Sequence, residues 1–326
     1  MIRYFSNQSL LQQNSSQLPN LLNTDEIIWI ELCAPTADET ENAARYMQLG
    51  PIEEMVNLAA KQPNWHDSHK DLFIFGIPLA AIQPGRLNED RVTFILTSRT
   101  LLTIHNLGFD LFADFSAENR SSPHKRCTCE DLLIDLLDYL LLHLSQKAEE
   151  INAAINELSR KVFAEPKTQW RYWRKSINFR TALRNIGRIG SVSNILNDNL
   201  RWLERVPLFL HAEAKNRFSG ARRTRLDGIR QDVINLIESV AFIQQQTALV
   251  LDATLGIINL EESFVMRWLT VIATIFIPPT FIASVYGMNF TEFSTFGGRA
   301  ALPIALLLVV ISGALPFLFF VRKGWL

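Results

Sequence analysis

Ile277-Pro278-Pro279-Thr280-Phe281-Ile282-Ala283-Ser284-Val285-Tyr286-Gly287-Met288-Asn289 decides how this chain is read. It closes the first of two long apolar runs, Trp268 to Tyr286 and Ala300 to Val321, the only stretches able to cross a bilayer of about 30 Å. Tyr286-Gly287-Met288-Asn289 sits in the short gap between them. Arg267 precedes the first run, and Arg322 and Lys323 follow the second. The positive-inside rule therefore places both termini in the cytoplasm and the short loop outside.

The totals agree with a large body mounted on two spans. The 326 residues have 48% hydrophobic content and a net charge of −1. Charge is concentrated before Arg267, and no global field argues for nucleic acid. Three cysteines, Cys33, Cys127 and Cys129, give no disulfide framework and suit a reducing compartment. Met1 to Asn20 has no continuous apolar core, so an exported N-terminus is not expected.

Upstream, Ile27-Ile28-Trp29-Ile30-Glu31-Leu32 predicts a buried strand. Thr36-Ala37-Asp38-Glu39 then caps a helix running towards Leu49. Ile52 to Lys61 reads as another helix. Leu72 to Leu79, Val92 to Thr97 and Leu101 to His105 read as strands, with turn chemistry at Gln83-Pro84-Gly85-Arg86. The first region, residues 1–129, is thus expected to be an α/β domain.

From Glu130 the pattern becomes helical. Leu132, Leu133, Leu136, Leu137, Leu140, Leu141 and Leu144 recur at helical spacing until Pro166. A second helix is expected from Thr168 to Trp202, ending before Pro207, and a third from Arg222 through Pro278-Pro279. At about 1.5 Å per residue, that third helix would be on the order of 90 Å long and would enter the membrane. The expected organisation is α+β: residues 1–129 as a cytoplasmic domain, 130–264 as a long helical stalk, and 265–326 as two transmembrane helices.

Read at alternating steps of four and three, the third helix presents Asp252, Gly256, Asn259, Ser263, Met266, Thr270, Ala273, Ile277, Thr280 and Ser284. Such a small and polar stripe suits either a helix–helix seam or the wall of a wet path, with Met266 and Ile277 as apolar constrictions. Two spans cannot enclose a pore, so transport requires an oligomer.

At Tyr286-Gly287-Met288-Asn289-Phe290 the chain resembles the CorA family of divalent-cation channels. The preceding Ile277 to Ser284 run, the second span and the Arg322-Lys323-Gly324-Trp325-Leu326 terminus extend the likeness. Trp29-Ile30-Glu31-Leu32 and Pro35 to Glu39 carry it more weakly into the first domain. The resemblance implies a homopentameric funnel in a plasma or inner membrane, surrounded by lipid. Its outer filter would be formed by Tyr286, Gly287, Met288 and Asn289. It further implies a gate at Met266, pore positions at Thr280 and Ser284, and a regulatory cation site including Asp252. The transported ion would be Mg²⁺, with Co²⁺ and Ni²⁺ as further candidates, and no resident cofactor is implied.

The outer loop departs from the family's usual continuation, reading Phe293-Ser294-Thr295-Phe296, with Glu292 its only acid. The basic residues between Lys161 and Gly190 form a solvated face or meet anionic lipid or a neighbouring acidic patch. Rival readings are the zinc-transporting branch and a non-conducting membrane-anchored scaffold or sensor. His124, Cys127 and Cys129, in a turn before a helix, and His66, Asp67 and His69, in another loop, are weak metal candidates. No phosphate-cradling loop and no GxSxG or HExxH motif supports an enzyme.

Overall fold

The structure, a computed structural model, describes residues 2–6, 27–61, 64–67, 72–83, 86–106, 112, 115, 128–163, 179–287 and 301–325. The chain divides into two compact units, Met1–Val250 and Leu251–Leu326.

The first unit is built on a mixed six-stranded sheet. Its strands are β1 (Ile2–Ser6), β2 (Ile27–Cys33), β3 (Asn64–Asp67), β4 (Leu72–Gln83), β5 (Arg86–Leu96) and β6 (Leu101–His105), ordered β1-β2-β6-β5-β4-β3. Only β2 and β6 pair in parallel; all other neighbours are antiparallel. Helices α1 (Ala37–Tyr46) and α2 (Ile52–Lys61) cover one face. Ala43 and Ile52 of these helices and Ile30, Leu32, Ile74, Ile95 and Leu102 of the sheet form one buried cluster. The capping expected at Thr36 is a full capping box: its hydroxyl accepts from Glu39 N–H, and the Glu39 carboxylate accepts from Thr36 N–H at 3.0 Å.

The other face of β2 carries Trp29. Its ring stacks on Phe5 with centroids 4.1 Å apart, meets Phe112 and Phe115 edge-on, and donates from Nε1 to Thr103 Oγ1 at 3.0 Å. Two residues on, alternation places Glu31 on the same face. Its carboxylate accepts from Arg3 at 3.2 Å and lies 3.1 Å from His105 Nε2, with all three side chains buried. Because both faces of the sheet are covered, β2, β4 and β6 read as nearly continuous apolar runs.

Among the described residues, long helices follow the sheet: α3 (Cys129–Val162), α4 (Phe179–Glu213) and α5 (Ala221–Tyr286, 66 residues). The leucine repeat of α3 is its buried face, including Leu133, Leu136, Leu137, Leu140 and Leu144. Two sequence expectations are corrected here. The second helix does not stop before Pro207 but continues to Glu213, because Pro207 joins Leu203, Val206 and Leu210 on the buried stripe. That packing offsets the one helical hydrogen bond proline removes. His66 and Asp67, expected with His69 in a loop, belong instead to edge strand β3, paired with Leu72–Phe75. Residues 164–178, the centre of the basic segment, lie outside the described residues; Arg180, Arg184 and Arg188 are exposed.

A ladder of ion pairs fixes the beginning of α5 to that of α3. Arg217, in the turn before α5, donates to Glu130 Oε1 at 2.6 and 2.9 Å and to the Thr97 carbonyl at 2.6 Å. Arg222 clasps both oxygens of Asp131, at 2.8 and 3.0 Å. Arg225 bridges Asp135 and Asp138, each at 2.7 Å. Burial alone would raise the Glu130 carboxyl, but the Arg217 hydrogen bonds and charge hold it below the usual range. Arg222 does the same for Asp131. Next to them the Cys129 thiol is pushed up to about 12, first by burial and then by the Glu130 charge, so this cysteine is an inert core residue.

Helix α6 (Ala301–Arg322) completes the second unit with the end of α5. Both helices are long and apolar enough to cross a membrane.

Candidate functional site

The end of α5 holds most of the side chains that the sequence singles out. The helix is unbroken through Pro278-Pro279 to Tyr286. Proline at 279 leaves the Ile275 carbonyl without its helical donor. A Cβ added at Gly313 of α6 would meet that carbonyl at 3.7 Å and Pro279 Cγ at 3.3 Å, so glycine permits this close helix–helix approach. On the same side of α5, Val271 is buried and Ile275, Pro279 and Ile282 are partly buried.

At about 100° per residue, Met266, Thr270, Ala273, Ile277, Thr280 and Ser284 centre about 180° from Val271, Ile275, Pro279 and Ile282. The stripe therefore points directly away from α6. Met266 is 60% exposed and Ile277 63%, whereas Val271 is 2% exposed. Ser263, Thr270, Thr280 and Ser284 are exposed, and Ala273 is partly so. An open furrow of about 490 Å³ crosses this surface, lined by Leu269, Thr270, Ala273, Thr274, Ile277 and Pro278.

The threonine hydroxyls are already oriented. Thr270 Oγ1 donates to the Met266 carbonyl at 2.8 Å, and Thr280 Oγ1 to Phe276 at 2.7 Å. With each proton turned back into its own helix, the oxygen lone pairs face outward. Such oxygens accept from the waters of a hydrated cation without carrying charge.

The last turn of α5 ends at Gly287, whose N–H reaches the Ala283 and Ser284 carbonyls at 3.0 and 3.2 Å. Any Cβ there would lie 3.3 Å from the Ala283 carbonyl oxygen. Tyr286 is 38% exposed beside it. Met288 and Asn289 lie outside the described residues. Asp252 is exposed and, by helical spacing, falls on the stripe's side of α5. Among the described residues no three His, Cys, Asp or Glu side chains converge to hold a metal ion. His69, His124 and Cys127 lie outside them.

The sequence reading found the stripe but missed the residues that orient it. Gly313, in the small Ser312-Gly313-Ala314 triplet of the second apolar run, was the available signal.

A family model described as CorA-like Mg²⁺ transporter protein matches residues 24–323. The magnesium transport protein CorA of Mannheimia succiniciproducens is 24% identical over 315 residues, covering 94% of each chain. The solved CorA magnesium transporter from Methanocaldococcus jannaschii superposes with a TM-score of 0.79 at 17% identity, covering 100% of this chain and 98% of its own. The ZntB cytoplasmic domain from Vibrio parahaemolyticus gives 0.52 at 12% identity over 80% of this chain and 98% of its own. At these identities the solved structures establish the architecture: an N-terminal α/β domain, a long helix and two C-terminal apolar helices.

Proposed function

The chain belongs to the CorA-like Mg²⁺ transporter family, a family of transporters rather than enzymes, and on that premise we propose that it forms an oligomeric channel for Mg²⁺. Copies of α5, five by the family resemblance, surround a path lined by Ser263, Met266, Thr270, Ala273, Ile277, Thr280 and Ser284. The observation that carries this reading is the stripe's orientation. It is mainly small or hydroxylated and turned away from α6, so one chain leaves it uncovered. An apolar helix exposing hydroxyls to lipid on that whole face would gain nothing from them. Neighbouring copies and water give them partners.

Tyr286, Gly287, Met288 and Asn289 form the outer filter in this proposal. Mg²⁺ gives up its water reluctantly, so a ring of Asn289 amide oxygens would select the hydrated ion through hydrogen bonds. Asp252, with no converging set of metal ligands among the described residues, acts with groups from a neighbouring copy as a regulatory cation site. Arg267, Arg322 and Lys323 orient both termini to the cytoplasm. The three-part division at residues 129/130 and 264/265 then separates cytoplasmic domain, stalk and spans.

The test is ion influx into proteoliposomes holding the full-length protein, with Mg²⁺, Zn²⁺, Co²⁺ and Ni²⁺ offered separately. Mg²⁺ flux is expected, reduced at least about tenfold in Asn289→Ala, the scale of losing charge-directed hydrogen bonds. No flux of any ion through intact oligomers overturns the transport reading. Zn²⁺ flux driven by a proton gradient, without Mg²⁺ flux, reassigns the ion.

A further inference from the structure

Two cations from different helices converge on one indole at the end of α6. The chain leaves α6 through a Schellman turn: Gly324 has φ +68°, its N–H donates to the Val321 carbonyl at 3.1 Å, and Trp325 N–H donates to Phe320 at 3.0 Å. This folds Trp325 back so that its ring stacks on Phe320, with centroids 5.5 Å apart and planes at 22°. The indole is held in place rather than trailing. The Arg267 guanidinium, contributed by α5, lies 5.5 Å from the ring centroid, and Lys323 Nζ also lies 5.5 Å from it. Lys323 is 5.2 Å from the Phe319 ring as well. Arg322 is exposed in the preceding turn.

The two charges are thus no farther apart than twice their distance to the ring. Among the described residues, no carboxylate pairs with Arg267, Arg322 or Lys323; Leu326 lies outside those residues. Cation–π attraction offsets only part of the repulsion between neighbouring cations. An anion placed between them relieves it. Arg267 stands about 100° from Met266 around α5, off the proposed pore stripe, so the cluster is not part of the ion path. Its position is the polar edge of both spans, where tryptophan settles and where lipid phosphates lie.

We propose that Arg267, Arg322, Lys323 and Trp325 form a binding site for the phosphate headgroup of an anionic phospholipid. Guanidinium and ammonium groups take the phosphate, and the indole lies in the adjoining glycerol layer. The lipid bridges the end of α6 to α5. The site rests on the two helices spanning the membrane, as in the transport proposal, but not on conduction.

The test uses full-length protein purified in neutral detergent, with phosphatidylglycerol or phosphatidylcholine added and bound lipid counted by native mass spectrometry. Phosphatidylglycerol is expected to be retained in preference to phosphatidylcholine. Arg267→Gln and Lys323→Gln should each weaken its retention about fivefold, the scale of one basic residue at an anionic surface, and the double variant should abolish the preference. Arg267→Lys should keep most of it, and Arg180→Gln, in the first unit, should change nothing. Equal retention of both lipids, or an unaltered preference in the double variant, overturns the proposal. Millimolar inorganic phosphate displacing the lipid would identify a free-phosphate site and also overturns it. Mg²⁺ flux from the same preparations separates the two readings. Lipid preference without flux sinks only transport, and flux without preference sinks only the headgroup site.

Discussion

Ile277→Lys is expected to lower divalent-cation flux by at least about a hundredfold while leaving the oligomer assembled. Ile277 is 63% exposed on α5 and faces away from the α6 contact. In the proposed channel, each copy would add an ammonium group beside the ion path. At roughly 6 Å and an effective dielectric near 20, one lysine opposes a divalent ion by about 5.5 kcal/mol. Screening can remove half of that and still leave a hundredfold loss, before further copies are counted. Ile277→Asn adds polarity without charge. It should conduct at least as well as the parent, because it wets an apolar constriction. Size-exclusion chromatography of both variants separates a blocked path from a failed assembly. Normal flux in Ile277→Lys would remove the stripe from the pathway.

Arg217→Met is expected to destabilise the first unit by about 3 kcal/mol at neutral pH, the low end of the range for breaking a buried ion pair. Glu130 and Arg217 have side chains only 11% and 14% exposed. Methionine leaves the largely buried carboxylate with only the more distant Arg222, 3.8 Å from its other oxygen, removes a donor from the Thr97 carbonyl and loses the contact with Phe73, whose ring lies 5.6 Å from the guanidinium. The pH dependence follows from the lowered Glu130 and Asp131 carboxyls. A carboxyl whose folded pKa is depressed contributes stability above its unfolded value, near 4, and loses it as pH falls through the folded value. The parent should therefore weaken on the acid side. In the variant, burial acts on Glu130 unopposed by Arg217, so protonation relieves it and the gap to the parent narrows towards pH 4. Thermal denaturation of the full-length protein at pH 7 and pH 4 measures both effects. A gap that widens with acid would contradict this account of Glu130.

The parts of the fold legible in the sequence were those whose signal is local. Leu133, Leu136, Leu137 and Leu140 carry their period on consecutive turns, and the two spans are continuous apolar runs. Strand β1 was not legible, because Ile2-Arg3-Tyr4-Phe5-Ser6 includes a charge that becomes tolerable only opposite Glu31. Strand β4 runs beyond Leu79 to Gln83 because residues 80–83 find partners on β5, Glu89 to Arg86, a pairing that the local sequence beside the Pro84-Gly85 turn does not reveal. Pro207 misled as a helix stop, because it packs on the buried stripe of α4. In each case a long-range partner outweighed a local propensity.

The candidate site divides similarly. The stripe from Ser263 to Ser284 follows from helical spacing alone. Its direction depends on Gly313 meeting Pro279 and Ile275, a contact between distant segments. The convergence of Arg267 and Lys323 on Trp325 likewise needs both helices in place. Asn289 is assigned from the family resemblance and its own chemistry, and its ring remains part of the proposal tested by flux.

The stripe's orientation is tested most directly by cysteine accessibility in sealed proteoliposomes. In a background carrying Cys33→Ser, Cys127→Ser and Cys129→Ala, Met266→Cys, Thr270→Cys, Ile277→Cys and Thr280→Cys are introduced singly, alongside Val271→Cys and Ile275→Cys. A small, cationic, membrane-impermeant thiol reagent should label the first four, and Mg²⁺ should slow it, while the last two stay protected. Labelling at Val271→Cys and Ile275→Cys, with the stripe positions protected, would contradict a water-filled path on the face opposite α6.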